Sequence, residues 1–581
     1  MKNIFIFLGL ILNLSPLLAQ DKYLTKFEKS EGKKTVTYHE GMQYFQMLAQ
    51  GFPMIQIKEM GPTDSGHPLH LILFDVEEDF DLDKSRQKGK TVLFINNGIH
   101  PGESDGIDAS MLFLRNLALN KKKQKKWKDV IIAVVPFYNI GGALNRNSFT
   151  RANQNGPEAY GFRGNAQNLD LNRDFIKNDS KNARSFAKIY HFLDPDVYLE
   201  THVSNGADYQ YVMTLLPTQQ DKLGGVLGDF LEKEMLPEVY RTMKDKNFDT
   251  TPYVNVWGTR NTPDNGWIQF IDNPRYSTGY TTLFNTIGYM AETHMLKPYK
   301  DRVEATYALM ETFAEFTAEK GNEIRELRAQ QKQAVAQQQS FPLSWAVDST
   351  QYSTLTFKGY EGGFKKSKVS GLPRLYYDRN KPYEKEVKFY DHYNATANVN
   401  KPKAYVIPQG WHKVIDRLKT NQVVMQQLER DTTVSLAVYH IKDYQTSRFV
   451  YEGHYPHSKV ELKKENEKVR LLKGDYIVYT GQAADRYIVE TLEPKAPDSF
   501  FNWNFFDAIL QQKEHFSPYV FEDEAAYLLA NNADLQKKLE AEKKRDTEFA
   551  KNAYAQLNFV YQHSPYYEEA HLRYPVFRLE K

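Results

Sequence analysis

The sequence predicts an α/β fold with a largely parallel or mixed sheet in its first half, followed by a β-rich region. Three observations support this prediction. Apolar runs typical of buried strands recur up to residue 295, segments with helical spacing separate them, and short alternating runs replace both after residue 340. Strands that alternate with helices indicate a sheet covered by helices on its faces.

The strands are predicted from apolar runs in the first 300 residues: HLILFDV, TVLFINNG (91–98), VIIAVVPFYN (130–139), DVYLETHV (196–203), YQYVMTLL (209–216) and IGYMAETHM (287–295). Amphipathic spacing predicts a helix within residues 35–60, and a second helix begins near Ile107. A long helical tract follows over residues 299–339 and ends in the polar AQQKQAVAQQQ. We place the first domain boundary there, near residue 340.

The remainder of the chain differs in kind. Residues 341–520 show short runs such as VSLAVYHI, separated by Gly, Asp and Lys turns, which predict a β-rich accessory region. Residues 521–581 form a predicted helical, charged C-terminal segment. Neither part contains a motif with recognisable chemistry, so we expect this half to pack against the first domain or to shape its cleft.

The N-terminal segment, residues 1–20, has the features of a secretory signal peptide. Lys2 precedes an apolar run that begins at Ile4, and the small residue Ala19 ends the segment, which is too short for a membrane span. Cleavage there leaves the first domain, over residues 21–340, and the two C-terminal parts. We therefore expect an exported protein, periplasmic or extracellular, without a stable membrane anchor.

The composition limits the available chemistry. The chain is 41% hydrophobic and 25% charged, as folded proteins are, and its net charge of +2 gives no reason to expect nucleic acid as a partner. It contains 0 cysteines, which excludes a thiolate nucleophile, a cysteine zinc site and disulfides. A metal site in this chain must therefore use His, Asp and Glu.

The stretch NNGIHPGESDG (96–106) allows two interpretations. Its GESDG fits a serine hydrolase motif with Ser104 as the nucleophile, which needs a sharp turn directly off a strand. The apolar run stops at Ile95, however, and residues 96–102 intervene, so we predict that Ser104 starts a helix. The other interpretation is a metal site, because His100 and Glu103 form an H-x-x-E pair.

A catalytic zinc site requires three protein ligands and one open position, so a third ligand must come from elsewhere in the chain. His100 is the only one of the 15 histidines with Glu at i+3, and it follows a strand, where open α/β sheets collect their sites. His202 ends another predicted strand. On the residues alone, that position fits a structural histidine as well as a ligand.

Four motifs in this order, HPGE (100–103), NLDLNRDF (168–175), LETH (199–202) and YMAETH (289–294), resemble the zinc metallocarboxypeptidases of the carboxypeptidase A-like family. The resemblance extends over residues 37–309. It implies a three-layer α/β/α sandwich with a mixed, eight-stranded sheet and one zinc ion at the carboxyl edge of that sheet.

The resemblance also implies roles for individual residues. His100, Glu103 and His202 correspond to the zinc ligands. Asp170 corresponds to the carboxylate that accepts a hydrogen bond from His100 and fixes its tautomer, although an Asp there could also cap a turn. Glu292 corresponds to the general base, which takes a proton from water and delivers it to the leaving amine.

Asn172 and Arg173 correspond to the pair that grips the C-terminal carboxylate of the substrate, for which a planar guanidinium is well suited. For the arginine that stabilises the oxyanion, Arg151 is the first candidate and Arg146 the second. The nearby turn reads Asn-Ile-Gly-Gly (139–142) and departs from the family's Asn-Pro-Asp-Gly. For the tyrosine that caps the substrate, Tyr280 is preferred and Tyr276 is the alternative.

The sequence thus predicts an exported zinc metallocarboxypeptidase that acts on peptides with a free C-terminal carboxylate. A zinc-dependent deacylase or a peptidoglycan stem-peptide amidase on the same fold is the alternative, because those substrates also carry a carboxylate. An inactive binding protein would lack the base, and Glu292 is present. No acid stands in RYSTG (275–279), the region before the base, which disfavours a pocket for Lys or Arg side chains.

Overall fold

The computed structural model describes residues 22–258 and 260–580. The predicted signal peptide, residues 1–20, lies outside the described residues. Across the described part of the chain, no helix combines the length and the apolar character that crossing a membrane requires.

The strands, in chain order, are β1 (Ile55–Pro62), β2 (Pro68–Phe74), β3 (Thr91–Asn96), β4 (Val130–Val135), β5 (Val197–Ser204), β6 (Met213–Pro217), β7 (Thr250–Pro252), β8 (Trp267–Ile268), β9 (Ile287–His294), β10 (Ser340–Val347), β11 (Ser353–Lys366), β12 (Pro373–Tyr390), β13 (Tyr393–Asn400), β14 (Ala404–Ile407), β15 (Gln426–Gln427), β16 (Thr432–Thr446), β17 (His457–Leu471), β18 (Tyr476–Tyr479) and β19 (Phe577–Leu579).

The α-helices are α1 (Lys26–Lys29), α2 (Tyr38–Gly51), α3 (Leu82–Gln87), α4 (Asp105–Leu119), α5 (Lys121–Lys126), α6 (Ile140–Leu144), α7 (Lys181–Leu193), α8 (Gln220–Leu223), α9 (Gly225–Phe230), α10 (Leu236–Asp245), α11 (Ser277–Thr282), α12 (Tyr299–Gln337), α13 (His412–Thr420), α14 (Asp485–Leu492), α15 (Pro518–Asn531), α16 (Ala533–Arg545), α17 (Thr547–Ala550) and α18 (Ala553–Gln562).

Eight strands form the central sheet, in the order β1-β2-β4-β3-β5-β9-β6-β7. β4, β3, β5 and β9 run parallel to one another, whereas β2 pairs antiparallel with both β1 and β4, and β6 pairs antiparallel with β9. The edge strand β7 pairs in parallel with β6. Helices α4 and α12 cover one face of the sheet, and α7 together with the C-terminal half covers the other. The predicted three-layer α/β/α sandwich with a mixed, eight-stranded sheet is confirmed.

The central strands are apolar throughout because both of their faces are covered. Every residue of β3, β4 and β5 is buried, which explains why their sequences are continuous apolar runs rather than alternating ones. One strand is shorter than its apolar run indicated, because YQYVMTLL becomes strand only from Met213 onward. The polar residues that do occur in these strands lie near their carboxyl ends, where the candidate site is found.

The predicted β-rich region is present after residue 340. β10 pairs with β13, β11 with β12, and six strands form a sheet of order β15-β18-β14-β19-β16-β17. Helices α15–α18 follow as a small cluster with its own core, and the chain then returns to this sheet through β19.

The two halves of the chain share structure across the predicted boundary. β8 of the first half pairs in parallel with β12 of the second, and one hydrophobic cluster contains both Phe186 and Tyr487. The division near residue 340 therefore stays a prediction about the chain's organisation. Some hydrophobic clusters span both parts, whereas others lie within one part.

Candidate active site

Three potential metal ligands converge at the carboxyl edge of the central sheet. His100 follows β3, Glu103 precedes α4, and His202 lies near the end of β5, so the parallel strands bring them to one edge. All three are buried. His100 Nδ1, Glu103 Oε2 and His202 Nδ1 form a triangle with sides of 3.2, 3.1 and 3.2 Å.

A carboxylate behind each imidazole fixes its orientation. Asp170 Oδ1 lies 2.9 Å from His100 Nε2, and Glu200 Oε1 lies 2.7 Å from His202 Nε2. Each carboxylate favours the tautomer with a proton on Nε2, in which Nδ1 is available to a metal ion. The sequence interpretation included Asp170 but missed Glu200, which stands two residues before His202 and so shares its side of β5.

The donor set fits a zinc ion. Two imidazole nitrogens and a carboxylate oxygen face one another at hydrogen-bond distance, an arrangement that a bound cation would stabilise. Zinc binds nitrogen and oxygen at about 2.0–2.1 Å, which places tetrahedral ligands about 3.3 Å apart, close to the sides of the triangle. His100, Glu103 and His202 form a group within the described residues that can hold a metal ion.

The Glu103 carboxylate is shared between the triangle and two arginines. Its Oε1 accepts a hydrogen bond of 2.9 Å from Arg151 Nη2 and lies 3.5 Å from Arg163 Nη1, while Oε2 faces the imidazoles. Burial alone would raise the pKa of Glu103, but His100 and Arg151 outweigh it and hold this pKa well below its ordinary value. The group therefore stays ionised, as a metal ligand must.

Glu292 lies beside the ligands on the neighbouring strand. In the register of β5 and β9 it is paired with His202, and its side chain lines the same cavity. Burial raises the pKa of Glu292 to about 7, and the nearby Glu103 adds to that effect while His202 opposes it. A carboxylate with such a pKa is suited to accept and return a proton near neutral pH.

Asn172 and Arg173 lie on a short 3₁₀ turn, Leu171–Arg173, which Asp170 caps by accepting a hydrogen bond from Asn172 N. The Arg173 guanidinium lies over the Tyr276 ring, 4.4 Å from its centre. Asn172, Arg173 and Tyr276 all line the cavity with the metal group. The stacking fixes the plane of the guanidinium at one wall of the cleft.

Of the two arginines proposed to stabilise an oxyanion, the structure brings only Arg151 to the cleft. Arg146 instead donates to the backbone oxygens of Val36 and Thr35. Arg163 also lines the cavity, and its Nε donates to Asp170 Oδ2 at 2.9 Å. The sequence interpretation missed Arg163, although its place seven residues before Asp170, in the turn FRGNAQNL that leads into the clamp motif, was a usable signal.

The preference for Tyr280 as the capping tyrosine is wrong. Its ring is fully buried, and its hydroxyl donates to Asn421 Oδ1 at 2.6 Å. Tyr280 therefore has no contact with the cleft. Tyr280 lies within α11 and packs in the core, whereas Tyr276 precedes that helix as its N-cap in an extended conformation. Tyr276 lines the cavity and is the corrected candidate.

Two polar residues near the motifs have structural positions. Ser104 directly precedes α4, as predicted, and its hydroxyl bonds to Tyr299 at 3.1 Å rather than to a histidine. His294 is buried, its Nε2 lies 3.1 Å from Asp208 Oδ1, and its ring stacks on Tyr209. Neither arrangement supports a nucleophile or a metal ligand.

The cleft has a volume of about 590 Å³. The rest of its lining is mixed. It contains the apolar and aromatic side chains Val203, Leu216, Tyr253, Trp257, Phe270, Met290 and Met295, and the polar side chains Thr150, Asn153, Gln154, Ser204, Asn205 and Asn255. The acidic residues that line it are Glu103 and Glu292, against three arginines.

Comparisons with known proteins agree with this geometry. Residues 41–209 match the family model of Peptidase_M14, described as zinc carboxypeptidase. Carboxypeptidase 2 of Trichophyton tonsurans is 29% identical over 106 residues, which is 18% of this chain and 20% of that protein. The chain thus spans about a fifth of the length of this curated relative.

Solved structures of metallocarboxypeptidases are also similar. A metallo-carboxypeptidase from Burkholderia cenocepacia is 16% identical, with a TM-score of 0.35, over 47% of this chain and 67% of its own. Carboxypeptidase A from Helicoverpa armigera is 13% identical, with a TM-score of 0.37, over 49% of this chain and 74% of its own.

The matched segment contains His100, Glu103, Asp170, Arg173 and His202, and so it covers the whole metal group. Zinc is the metal of this family, and it is the metal that the geometry of the donor atoms fits. Residues 41–209 are therefore similar to the zinc carboxypeptidase family, in agreement with the order of the four motifs.

Proposed function

We propose that the protein is a zinc-dependent carboxypeptidase that hydrolyses the C-terminal peptide bond of peptides. One observation supports this above all others. A single cleft holds a zinc-type donor set, a buried carboxylate in Glu292 and a stacked guanidinium in Arg173. The first two suit hydrolysis in general, and the third suits a substrate that ends in a free carboxylate.

Different residues of the cleft have different roles in the proposed reaction. His100, Glu103 and His202 would hold zinc, which when bound supplies Lewis-acid chemistry. Glu292 takes a proton from the attacking water and delivers it to the departing amine nitrogen. Arg151 and Arg163 place positive charge where negative charge develops on the carbonyl oxygen of the scissile bond.

Asn172 and Arg173 orient the substrate by its terminal carboxylate, and Tyr276 stacks on Arg173 at the same wall. This contact distinguishes a peptide end from an internal bond, because an internal residue offers no charge to pair with the guanidinium. The same contact is available to a stem peptide or an N-acyl amino acid, so the alternatives differ in the group that is removed, not in the clamp.

The walls of the cleft favour an apolar C-terminal side chain. Of the acids that line it, Glu103 is paired with Arg151 and the imidazoles, and Glu292 is reserved for proton transfer. A Lys or Arg side chain of the substrate would therefore be desolvated without a free partner. We propose that peptides ending in Phe, Leu or Met are cleaved in preference to peptides ending in Lys or Arg.

The experiment that tests this proposal measures release of C-terminal residues from paired peptides, one with a free carboxylate and one amidated. We expect release from the free peptides, its loss with a chelator or an amide, and a fall in kcat of about 10²–10⁴ in Glu292→Gln. Glu304→Gln, a change on the exposed side of α12, is the matched control. Activity on N-acyl amino acids or stem peptides alone would contradict the proposal and support the alternatives.

We also propose that the protein is exported. The proposal rests on the charged, apolar and small-residue segments at positions 1–20 of the sequence. N-terminal sequencing of the protein from cell fractions tests it. A mature chain starting near Asp21 outside the cytoplasm is expected, and a full-length chain retained in the cytoplasm would contradict it.

A further inference from the structure

A turn of the accessory region reaches the segment that carries the clamp. This turn, residues 447–456, joins β16 to β17, and we name it the 447–456 turn. Glu452 Oε2 accepts a hydrogen bond of 2.7 Å from the backbone nitrogen of Asp170, across a sequence separation of 282 residues. Asp170 is the residue whose side chain orients His100 and caps the turn with Asn172 and Arg173.

The conformation of the 447–456 turn is specific for this contact. Glu452 has a φ of 50°, a left-handed conformation that residues other than glycine seldom adopt, and Gly453 follows with a φ of 79°. Reciprocal backbone hydrogen bonds of 2.8 and 3.0 Å between Tyr451 and His454 close the turn. The surrounding contacts therefore hold Glu452 in a conformation that directs its carboxylate to Asp170.

Further contacts hold the other end of the clamp segment. Asp179 lies 2.7 Å from His454 Nε2 in the 447–456 turn, and it accepts hydrogen bonds of 2.9 Å from Lys177 and from Arg417 of α13. The segment from Asp170 to Asp179 is thus attached to the accessory region at both of its ends.

The Tyr276 side of the clamp is held in the same way. Arg275, next to Tyr276, donates from its backbone nitrogen and from Nε to Asp498, each at 2.9 Å. Its guanidinium lies over the rings of Trp503 and Tyr451, at 5.0 and 5.5 Å. The accessory region therefore contacts both chain segments that bring Arg173 and Tyr276 together.

We infer that Glu452 is a positioning residue for the active site, through which the accessory region sets the place of Asp170 and of the Asn172–Arg173 pair. Because its acceptor oxygen fixes the backbone of Asp170, its loss lets the whole turn shift. Two properties should respond, the affinity of the site for zinc through His100 and the affinity for a substrate carboxylate through Arg173. The second of these rests on the proposed function, and the first does not.

The test compares Glu452→Ala with Glu452→Gln, which keeps an acceptor oxygen, and with the control Glu461→Ala on the exposed side of β17. In Glu452→Ala we expect KM for peptides with a free carboxylate to rise about tenfold, the scale of one lost charge-assisted hydrogen bond, with kcat changed less. Zinc affinity, from chelator competition, should fall about three- to tenfold, less than the 10–100-fold typical for loss of a partner carboxylate such as Asp170. Glu452→Gln and the control should resemble the wild type.

The inference would be overturned if a folded Glu452→Ala protein had the KM and the zinc affinity of the wild type. It would also be overturned if Glu452→Gln were as impaired as Glu452→Ala. Thermal unfolding of each variant checks folding. Should Glu452→Ala fail to fold, Glu452→Asp, which keeps the charge but is one methylene shorter, must show the same two losses in weaker form. The wild-type protein could lack peptidase activity while its zinc affinity still depends on Glu452. That result would contradict the proposed function but support the positioning role of Glu452.

Discussion

Arg173 is held in place before any substrate arrives. Its Nη1 donates to its neighbour Asn172 O at 2.8 Å, and its flat face lies on Tyr276. Its side chain is only 20% exposed, so the positive charge is partly desolvated. A carboxylate ligand would replace the interactions with water that the charge has lost.

The corresponding prediction concerns Arg173→Gln. Loss of a charge-assisted pair costs about 1.5–3 kcal/mol, which corresponds to a drop in kcat/KM of about 10- to 100-fold for peptides with a free carboxylate. Peptides with an amidated end should lose far less, because they cannot pair with the guanidinium. Arg241→Gln, on the exposed side of α10, is the control, and an equal loss for both kinds of peptide would show that Arg173 is not the clamp.

At the level of single residues, the site residues that belong to a motif could be predicted from the sequence. The site residues whose positions depend on tertiary packing could not. His100, Glu103, His202 and Glu292 stand at strand ends, where parallel strands must bring them together. Arg163 was missed because the path of residues 145–170, which contain no regular helix or strand, depends on contacts distant in sequence. The choice of Tyr280 over Tyr276 was wrong because the sequence alone does not show which side of this short helical segment faces the cleft.

The segment from Asp170 to Asp179 is an element whose stability depends on pH. Burial alone would raise the pKa of Asp179, but the contacts with His454 and Lys177 hold this pKa below its ordinary value. A carboxyl whose pKa is lowered by folding stabilises the folded state fully above its unfolded pKa of about 4, and this contribution is lost as the pH falls through the folded pKa.

Asp179→Asn should therefore lower the thermal midpoint at pH 7, through a loss of about 1.5–3 kcal/mol. The difference from the wild type should shrink as the pH falls below about 4, because Asp179 of the unfolded wild-type chain takes up a proton there while Asp179 of the folded chain still stays ionised. Thermal unfolding followed by circular dichroism between pH 3 and pH 8 measures it, with the exposed Asp229→Asn as control. A difference that stays constant over this range would refute the assignment.

The central strands of the first half were predictable as elements because they are buried on both faces and are rich in apolar residues, whereas the partly exposed β1 and the short β7 and β8 were not predicted. The accessory strands were predictable in kind but not in their partners. β8, only two residues long, joins β12, and β19 returns from the chain end to pair with β14. Such long-range pairings depend on tertiary contacts, which the local pattern of one strand does not specify.

On the scale of the whole molecule, the two halves share one hydrophobic core. Ile488 and Tyr487 of α14 belong to the same cluster as Phe94 and Phe186 of the catalytic part, and the ring of Tyr487 stacks on Phe284 at 5.3 Å. This packing agrees with the expectation that the C-terminal half covers the first domain. It also implies that both halves unfold together.

Ile488→Ala tests that implication, because truncating a fully buried Ile costs about 2–5 kcal/mol. The temperature at which zinc is released and the temperature at which secondary structure is lost should fall together. Val369→Ala, at a side chain that is 98% exposed, should change neither. Zinc that stays bound after the accessory region has unfolded would contradict a shared core.

The most direct test of the central claim is the zinc content of the protein purified without chelators, compared with that of His202→Ala and Glu292→Gln. We expect one zinc per chain in the wild type, because His100, Glu103 and His202 form a buried donor set, whereas the other group that could hold a metal ion, His440, Glu465 and Glu467, is partly exposed. Zinc should be largely lost in His202→Ala and retained in Glu292→Gln, whose side chain is the proposed base and not a proposed ligand. A wild type without zinc, or a His202→Ala protein that keeps it in full, would contradict the account.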